Sequence, residues 1–237
     1  AVIGFIIAVN TQIPIFGFIC AAVAGALLSV IFAILTQYMM SNQVATGLGL
    51  TMVGLGLSAL IGKPYEGIKS PTLTKLEIPI LSDIPILGPM IFSHDAIVYF
   101  SIFVIASVAF IINKSRVGLV LRAVGENQEA AHALGYKVIR IRFIAIMFGG
   151  ATAGIGGAYI SLARVPQWTE GMTAGAGWIA LALVVFASWK PWRVLMGAYL
   201  FGGITVLQLN LQAIGVAIPV EILSMSPYLV TIVVLVG

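Results

Sequence analysis

The sequence predicts an all-α, polytopic membrane protein: a bundle of transmembrane helices with a short cytoplasmic helix in one of its loops. Of the 237 residues, 60% are hydrophobic and only 8% are charged. Soluble domains typically carry about 25% charged residues, so an ordinary globular protein is excluded. The apolar residues occur in runs of roughly 20, the length that an α-helix needs to cross a bilayer. Helices satisfy their own backbone hydrogen bonds in lipid, as a spanning segment must.

The runs divide the chain into spans separated by polar turns. Residues 1–9 are interpreted as the end of a helix. Complete or nearly complete spans are predicted at 13–38, 44–61, 96–112, 143–163, 178–189 and 194–211, and a further one begins at Glu221. The chain begins and ends inside apolar runs, so we expect both ends to be truncated. Residues 1–237 together are predicted to form a single transmembrane domain.

The basic residues orient the bundle. The loop 113–142 holds half of the twelve Lys and Arg residues, namely Lys114, Arg116, Arg122, Lys137, Arg140 and Arg142. Loops rich in Lys and Arg stay in the cytoplasm, so this loop and the turn 190–193 are predicted to be cytoplasmic. The turn 164–170 then lies outside, with Trp168 in a position typical of the interfacial belt. The net charge of +4 is spread along membrane flanks, which does not indicate nucleic-acid binding.

The loop 63–95 is predicted to be extracytoplasmic and irregular. It contains five of the ten prolines, which a regular helix does not tolerate. The tetrapeptide Ile-Pro-Ile-Leu occurs in it at 78–81 and again at 84–87. This repeat is compatible with a pair of strands or with two turns lying against the membrane.

The sequence predicts a short helix inside the cytoplasmic loop, with residues typical of a helix start and a helix end. Asn127 is a good N-cap, since its side-chain oxygen can accept a hydrogen bond from a first-turn amide. Glu129 places a carboxylate in that first turn, where the helix dipole favours it. Gly135 suits the position after the helix, where a left-handed conformation is common. The residues between have mostly small side chains, including three alanines, so the helix could lie close against another protein.

The amino-acid sequence of this loop resembles that of a known protein family. Glu129, Ala130 and Ala131, followed by Gly135, are similar to the EAA loop of bacterial ABC importer permeases. The longer stretch 121–135 resembles the branch that serves simple sugars, nucleosides and branched-chain amino acids. The resemblance continues at residues 172–175 and 201–203, where the sequence is most like that of nucleoside importer permeases.

The resemblance implies a function and a set of partners. The chain would be a permease subunit that moves a small polar, uncharged solute, a nucleoside or a simple sugar, into the cytoplasm. Its partners would be a cytoplasmic ATPase that holds ATP and magnesium, a second and related permease, and an extracytoplasmic solute-binding lipoprotein. The location would be the bacterial cell membrane. The ATPase-coupling residues would be Arg122, Gly125, Glu126, Asn127, Glu129, Ala130, Ala131, Leu134 and Gly135.

The sequence contains no recognisable catalytic motif and no group of residues spaced to bind a metal ion. Gly62 and Lys63 do not end a phosphate-binding loop, because Pro64 occupies the Ser/Thr position of that motif. His94 and His132 fall on opposite sides of the predicted membrane and cannot share a metal. We therefore predict no enzyme activity and no cofactor on this chain, and a buried, inert thiol at Cys20.

Polar residues near the ends of spans are candidates for the solute path. They are Asn10, Gln12, Gln208, Asn210 and Gln212. Polar groups at membrane depth often line a path, but the same residues would also suit an interfacial helix end. Gly150, Gly154, Gly156 and Gly157 are interpreted as helix-packing positions. The alternative function is a self-sufficient secondary transporter or a passive channel. An ion-coupled transporter would need carboxylates inside its spans.

Overall fold

The computed structural model describes residues 1–71, 73, 75–77, 93–173 and 175–214, together with Met225 and Leu229. The helices are α1 (Val2–Thr11), α2 (Pro14–Ala33), α3 (Gln43–Gly62), α4 (Ala96–Lys114), α5 (Arg116–Glu126), α6 (Gln128–Ala133), α7 (Val138–Tyr159), α8 (Ala176–Phe186) and α9 (Pro191–Ala213). Two strands, β1 (Lys75–Glu77) and β2 (Ser93–Asp95), pair in antiparallel fashion. The Ile-Pro-Ile-Leu repeats lie outside the described residues, as does the span predicted from Glu221 apart from Met225 and Leu229.

The all-α membrane fold is confirmed. Among the described residues, five helices are long and apolar enough to cross a membrane when their terminal turns are included: Pro14–Tyr38, Gln43–Tyr65, Ala96–Lys114, Val138–Arg164 and Pro191–Ala213. The span predicted at 178–189 is instead the 11-residue helix α8, which ends at Phe186. Helix α7 begins at Val138, earlier than residue 143, so Arg140 and Arg142 belong to the helix and not to the polar loop before it.

Two of the membrane helices end in a wider turn. Helix α2 continues into a π-helical turn, Ile34–Tyr38, and α7 continues into another, Ile160–Arg164. Turns of this kind are rare and often mark functional sites. After the first of them, Met40 adopts a left-handed backbone with a φ of 53°. The chain then enters α3, where Asn42 accepts hydrogen bonds from the amides of Val44 and Ala45.

The described helices fall into two compact units. The first comprises Ala1–Ile97 and Val120–Ala174, and the second comprises Val98–Leu119 and Gly175–Gly237. The first unit holds a core of seven buried residues, namely Phe5, Ala8, Phe18, Ala21, Ala158, Leu162 and Trp168. In the second unit α8 packs against α9, with Gly197 facing the side chains of Leu183 and Phe186.

Glycines bring α2 and α7 into backbone contact. A Cβ added to Gly25 would collide with the carbonyl of Gly150, and one added to Gly154 would collide with the carbonyl of Ala21. Such close approach is what small residues permit between membrane helices. Of the other two glycines that we assigned to packing, Gly157 faces the chain's first residue, whereas Gly156 faces open space.

The α2–α7 pair is antiparallel and defines two ends of the first unit. Gly17 near the start of α2 lies against Leu162, whereas Gly25 lies against Gly150. The 22 residues of α7 span about 33 Å at 1.5 Å per residue, so the start and the end of α7 are far apart. We call the end where α7 begins the α6 end and the opposite end the Trp168 end.

Trp168 differs from its sequence-based interpretation. We expected an interfacial residue, but the side chain is only 2% exposed and belongs to the core of the first unit. Its ring lies against Gly62 at the end of α3. The loops that hold it are tied together by the amide of Ser70, which donates to the carbonyl of Pro166 at 3.0 Å. A tryptophan that loops cover in this way loses its contact with the bilayer surface.

Candidate functional site

The helix predicted in the loop 113–142 is present, with both predicted ends. Helix α6 covers Gln128–Ala133, and the amide of Ala130 donates to Oδ1 of Asn127 at 2.9 Å. Gly135 has a φ of +85°. Its amide donates to the carbonyl of His132, and the amide of Tyr136 donates to the carbonyl of Ala131 at 3.1 Å. These bonds satisfy the last carbonyls of the helix and keep it short.

Three sides of α6 have different surroundings. With about 100° of rotation per residue, Ala130 and Leu134 point to one side, where both are exposed and Leu134 is 75% exposed. Ala131 is only 2% exposed, so its small side chain fits within its own chain and is not on the free surface. The remaining side faces a pocket, described below. The exposed side with Ala130 and Leu134 is therefore the part of the α6 surface that lies away from the pocket.

Helix α5 adds further exposed residues before α6. Arg122, Gly125 and Glu126 all lie on its exposed side, whereas Val124 is buried. The other candidate coupling residue, Asn127, joins the two helices through the bond from its own amide to the carbonyl of Ala123. The exposed members of the predicted coupling set thus occupy the consecutive helices α5 and α6.

A pocket of about 560 Å³ lies beside α6, at the α6 end of the first unit. Five segments line it: the π-helical turn after α2, the turn that follows, the start of α3, α6, and the start of α7. The lining residues are Thr36, Gln37, Met40, Ser41, Gln43, Gln128, Glu129, His132, Ala133, Val138, Ile139 and Arg142. Sequence reasoning missed this pocket, because residues 13–38 were interpreted as one uniform span. The adjacent polar residues Thr36 and Gln37, near the end of an apolar run, were the available signal.

The candidate path residues do not form one cluster within a unit. Asn10 and Gln12 lie at the end of α1 in the first unit, where the Asn10 amide donates to the Tyr65 hydroxyl at 3.4 Å. The Gln12 amide donates to the carbonyl of Val9 at 2.7 Å. Gln208, Asn210 and Gln212 lie in α9 in the second unit; the two glutamines are half-buried and Asn210 is exposed.

Side chains that commonly bind metal ions are not grouped together in the part of the chain that the structure describes. Across residues 1–71, 93–173 and 175–214, no group of three or more His, Cys, Asp and Glu side chains could hold a metal ion. The buried Ser161 donates its hydroxyl proton to the carbonyl of Ala158 at 3.2 Å, which suits a serine in a helix end. Cys20 is a half-buried free thiol.

Comparison with known proteins finds a family and several relatives that match nearly the whole chain. Residues 1–235 match the family described as the branched-chain amino acid transport system permease component. A putative glucose ABC transporter permease protein of Haloferax volcanii, TsgC13, is 36% identical over 98% of this chain and 77% of its own length. The guanosine ABC transporter permease protein NupQ of Bacillus subtilis is 34% identical over 94% of this chain and 73% of its own length.

A third relative is the nucleoside ABC transporter permease protein NupC of Lactococcus lactis, which is 31% identical over 95% of this chain and 74% of its own length. No solved structure matches the chain. The relatives are transport components and not enzymes. The family match over nearly the whole chain and the five membrane-capable helices lead to one identification: this chain belongs to the branched-chain amino acid transport system permease family and is a multi-pass permease subunit of an ABC importer.

Proposed function

We propose that this permease moves a small polar, uncharged solute, a nucleoside or a simple sugar, into the cytoplasm of a bacterial cell. The named substrates of its relatives, guanosine, nucleosides and glucose, support this class. The charge distribution supports it as well. All six acidic residues among the described ones, namely Glu66, Glu77, Asp95, Glu126, Glu129 and Glu170, lie outside the five spans. An ion-coupled secondary transporter would need such groups within the membrane.

The energy for transport would come from a separate ATPase subunit that docks on α6. The observation that carries this proposal is the capped helix that presents Ala130 and Leu134 to solvent on one side. A short helix with a small residue and an apolar one on its free face suits insertion into a groove of a partner. The α6 end would then face the cytoplasm, and the Trp168 end would face the solute-binding lipoprotein. A second, related permease would complete the pathway, and ATP and magnesium would be held by the ATPase.

Movement of α6 would be passed to the membrane helices through two rigid connections. The turn after α6 is held by the bonds from Gly135 and Tyr136 and leads directly into α7. Helix α7 in turn is in backbone contact with α2 at Gly150 and Gly154. A force applied to α6 would therefore move α7 and α2 as a pair.

The test is reconstitution of the permease in vesicles with its ATPase, partner permease and binding protein. We expect uptake of labelled guanosine or glucose that requires ATP hydrolysis, and co-purification of the ATPase with the permease. Uptake that proceeds without the ATPase, with or without an ion gradient, would establish the channel or secondary-transporter alternative instead.

A further inference from the structure

The pocket beside α6 contains a buried amide with unused hydrogen-bonding capacity. Gln37 is 9% exposed and lines the pocket. Its Nε2 atom donates to Oγ1 of Thr36 at 3.3 Å, and this is the hydrogen bond that its side chain makes among the described residues. A glutamine side chain offers two donor protons and an acceptor oxygen. One donor position and the acceptor oxygen are thus free for another molecule.

The Thr36 hydroxyl explains why Gln37 is held in this position. Thr36 donates its own proton to the carbonyl of Phe32 at 2.8 Å, so its oxygen remains available to accept from Gln37. Both residues belong to the π-helical turn after α2, which displaces the backbone from regular α-helical spacing. The turn places two neighbouring, buried polar side chains in the lining of the pocket.

The rest of the lining combines polar and charged side chains with four apolar ones, Met40, Ala133, Val138 and Ile139. Gln43 and Gln128 supply two more amides, and Ser41 supplies a hydroxyl. The one carboxylate, Glu129, and the one guanidinium, Arg142, have formal charges that cancel. A volume of about 560 Å³ lies within the range of small-molecule sites, which is roughly 300–1,000 Å³. Amide side chains that pair a donor with an acceptor are suited to nucleobase edges and to sugar hydroxyls.

We propose that this pocket is a binding site for the transported solute at the α6 end, with the Gln37 amide as its central hydrogen-bonding group. The ligand is a small, uncharged molecule with both donors and acceptors, of the nucleoside or sugar class. This assignment rests on the proposed function, because it identifies a step of the same transport path. Helix α6 forms one wall of the site, so a solute in the pocket contacts the helix on which the ATPase would dock.

The experiment measures equilibrium binding of labelled guanosine and of labelled glucose to the assembled permease–ATPase complex without its binding protein. The variants are Gln37→Leu and Thr36→Val, which remove the buried polar groups, and Gln43→Ala, which changes the exposed rim and carries little folding risk. Thr51→Val is the matched control. Thr51 lies in α3 away from the pocket and donates to the carbonyl four residues earlier at 2.8 Å, as Thr36 does.

We expect wild-type and Thr51→Val complexes to bind one of the two probes equally well. Gln37→Leu should bind that probe at least about tenfold more weakly, because two hydrogen bonds to the buried amide are lost. Gln43→Ala should show a smaller loss. Unchanged binding in both Gln37→Leu and Gln43→Ala would overturn the proposal. So would loss of ATPase capture by these variants with solute binding intact, because the pocket would then belong to the docking surface.

Uptake by the wild-type complex is measured in parallel. ATP-driven uptake of guanosine or glucose that Gln37→Leu leaves unaltered rejects the pocket while the proposed function stands. Absence of ATP-driven uptake of any nucleoside or sugar by the wild type rejects the proposed function itself.

Discussion

The ring of Trp168 lies directly against Gly62, so the last residue of α3 and the loop after α7 share one packed contact. A Cβ at position 62 would overlap the ring, and the ring itself is almost fully buried. The contact joins two segments more than a hundred residues apart in sequence and closes the Trp168 end of the first unit.

We expect Trp168→Ala to destabilise the protein by about 3–5 kcal/mol, since removal of a large buried aromatic side chain leaves a cavity. Thermal unfolding of the detergent-solubilised protein measures the loss. Trp178→Ala is the control, because Trp178 is exposed, and it should unfold at nearly the wild-type temperature. Equal unfolding temperatures for the two variants would contradict the buried position of Trp168.

The contact between α2 and α7 gives a second prediction about stability. Gly154→Ala should destabilise the protein by about 1–3 kcal/mol, because the added methyl group meets the backbone of α2. Gly156→Ala, two residues away, faces open space and should be neutral or stabilising by up to about 1 kcal/mol, since alanine favours the helix. Thermal unfolding of both variants checks the difference. A stabilising effect of Gly154→Ala would show that the helices are further apart.

Helix α6 provides a prediction about coupling, because its two neighbouring alanines have different surroundings. Ala130→Trp adds bulk to the exposed side and should leave the permease folded while abolishing ATPase capture. Ala131→Trp adds the same bulk at a buried position and should disturb the packing of α6 against the rest of the chain. We expect this variant to lose about 1–3 kcal/mol of folding stability.

ATPase pull-down and thermal unfolding of the two variants, measured together, test this difference. Wild-type pull-down and uptake by Ala130→Trp would show that the Ala130–Leu134 side is not the docking surface. Ala130→Ser is the conservative control, since it keeps the small size of the residue, and it should behave as the wild type.

The sidedness of the bundle gives a fourth prediction. In a Cys20→Ala background, a cysteine placed at Gln128 should react with an impermeant thiol reagent only from the cytoplasmic side, because the basic loop around it remains inside. A cysteine placed at Glu66 should react only from outside. Glu66 and Gln128 are both exposed, so neither needs the protein to open. Labelling of the Gln128 position from outside would reverse the orientation and remove α6 from the reach of a cytoplasmic ATPase.

Much of the fold follows from local properties of the sequence. The spans are predictable because about 20 consecutive apolar residues favour a membrane helix whatever their neighbours. The ends of α6 are predictable because Asn127 and Gly135 act on backbone groups only a few residues away. Element bounds were less accurate where charged residues extend a helix into a loop, as Arg140 does in α7.

The sequence by itself determined the class of the protein, five of its membrane helices, the short capped helix and the family to which they belong. Tertiary structure alone decided that Ala131 faces inward while Ala130 faces solvent, that Trp168 is covered by loops, and that Thr36 and Gln37 open onto a pocket with α6. The physical reason is distance along the chain. Hydrophobicity and capping act within one or two helical turns, whereas burial and pocket lining depend on segments that meet only after α2 and α7 have packed.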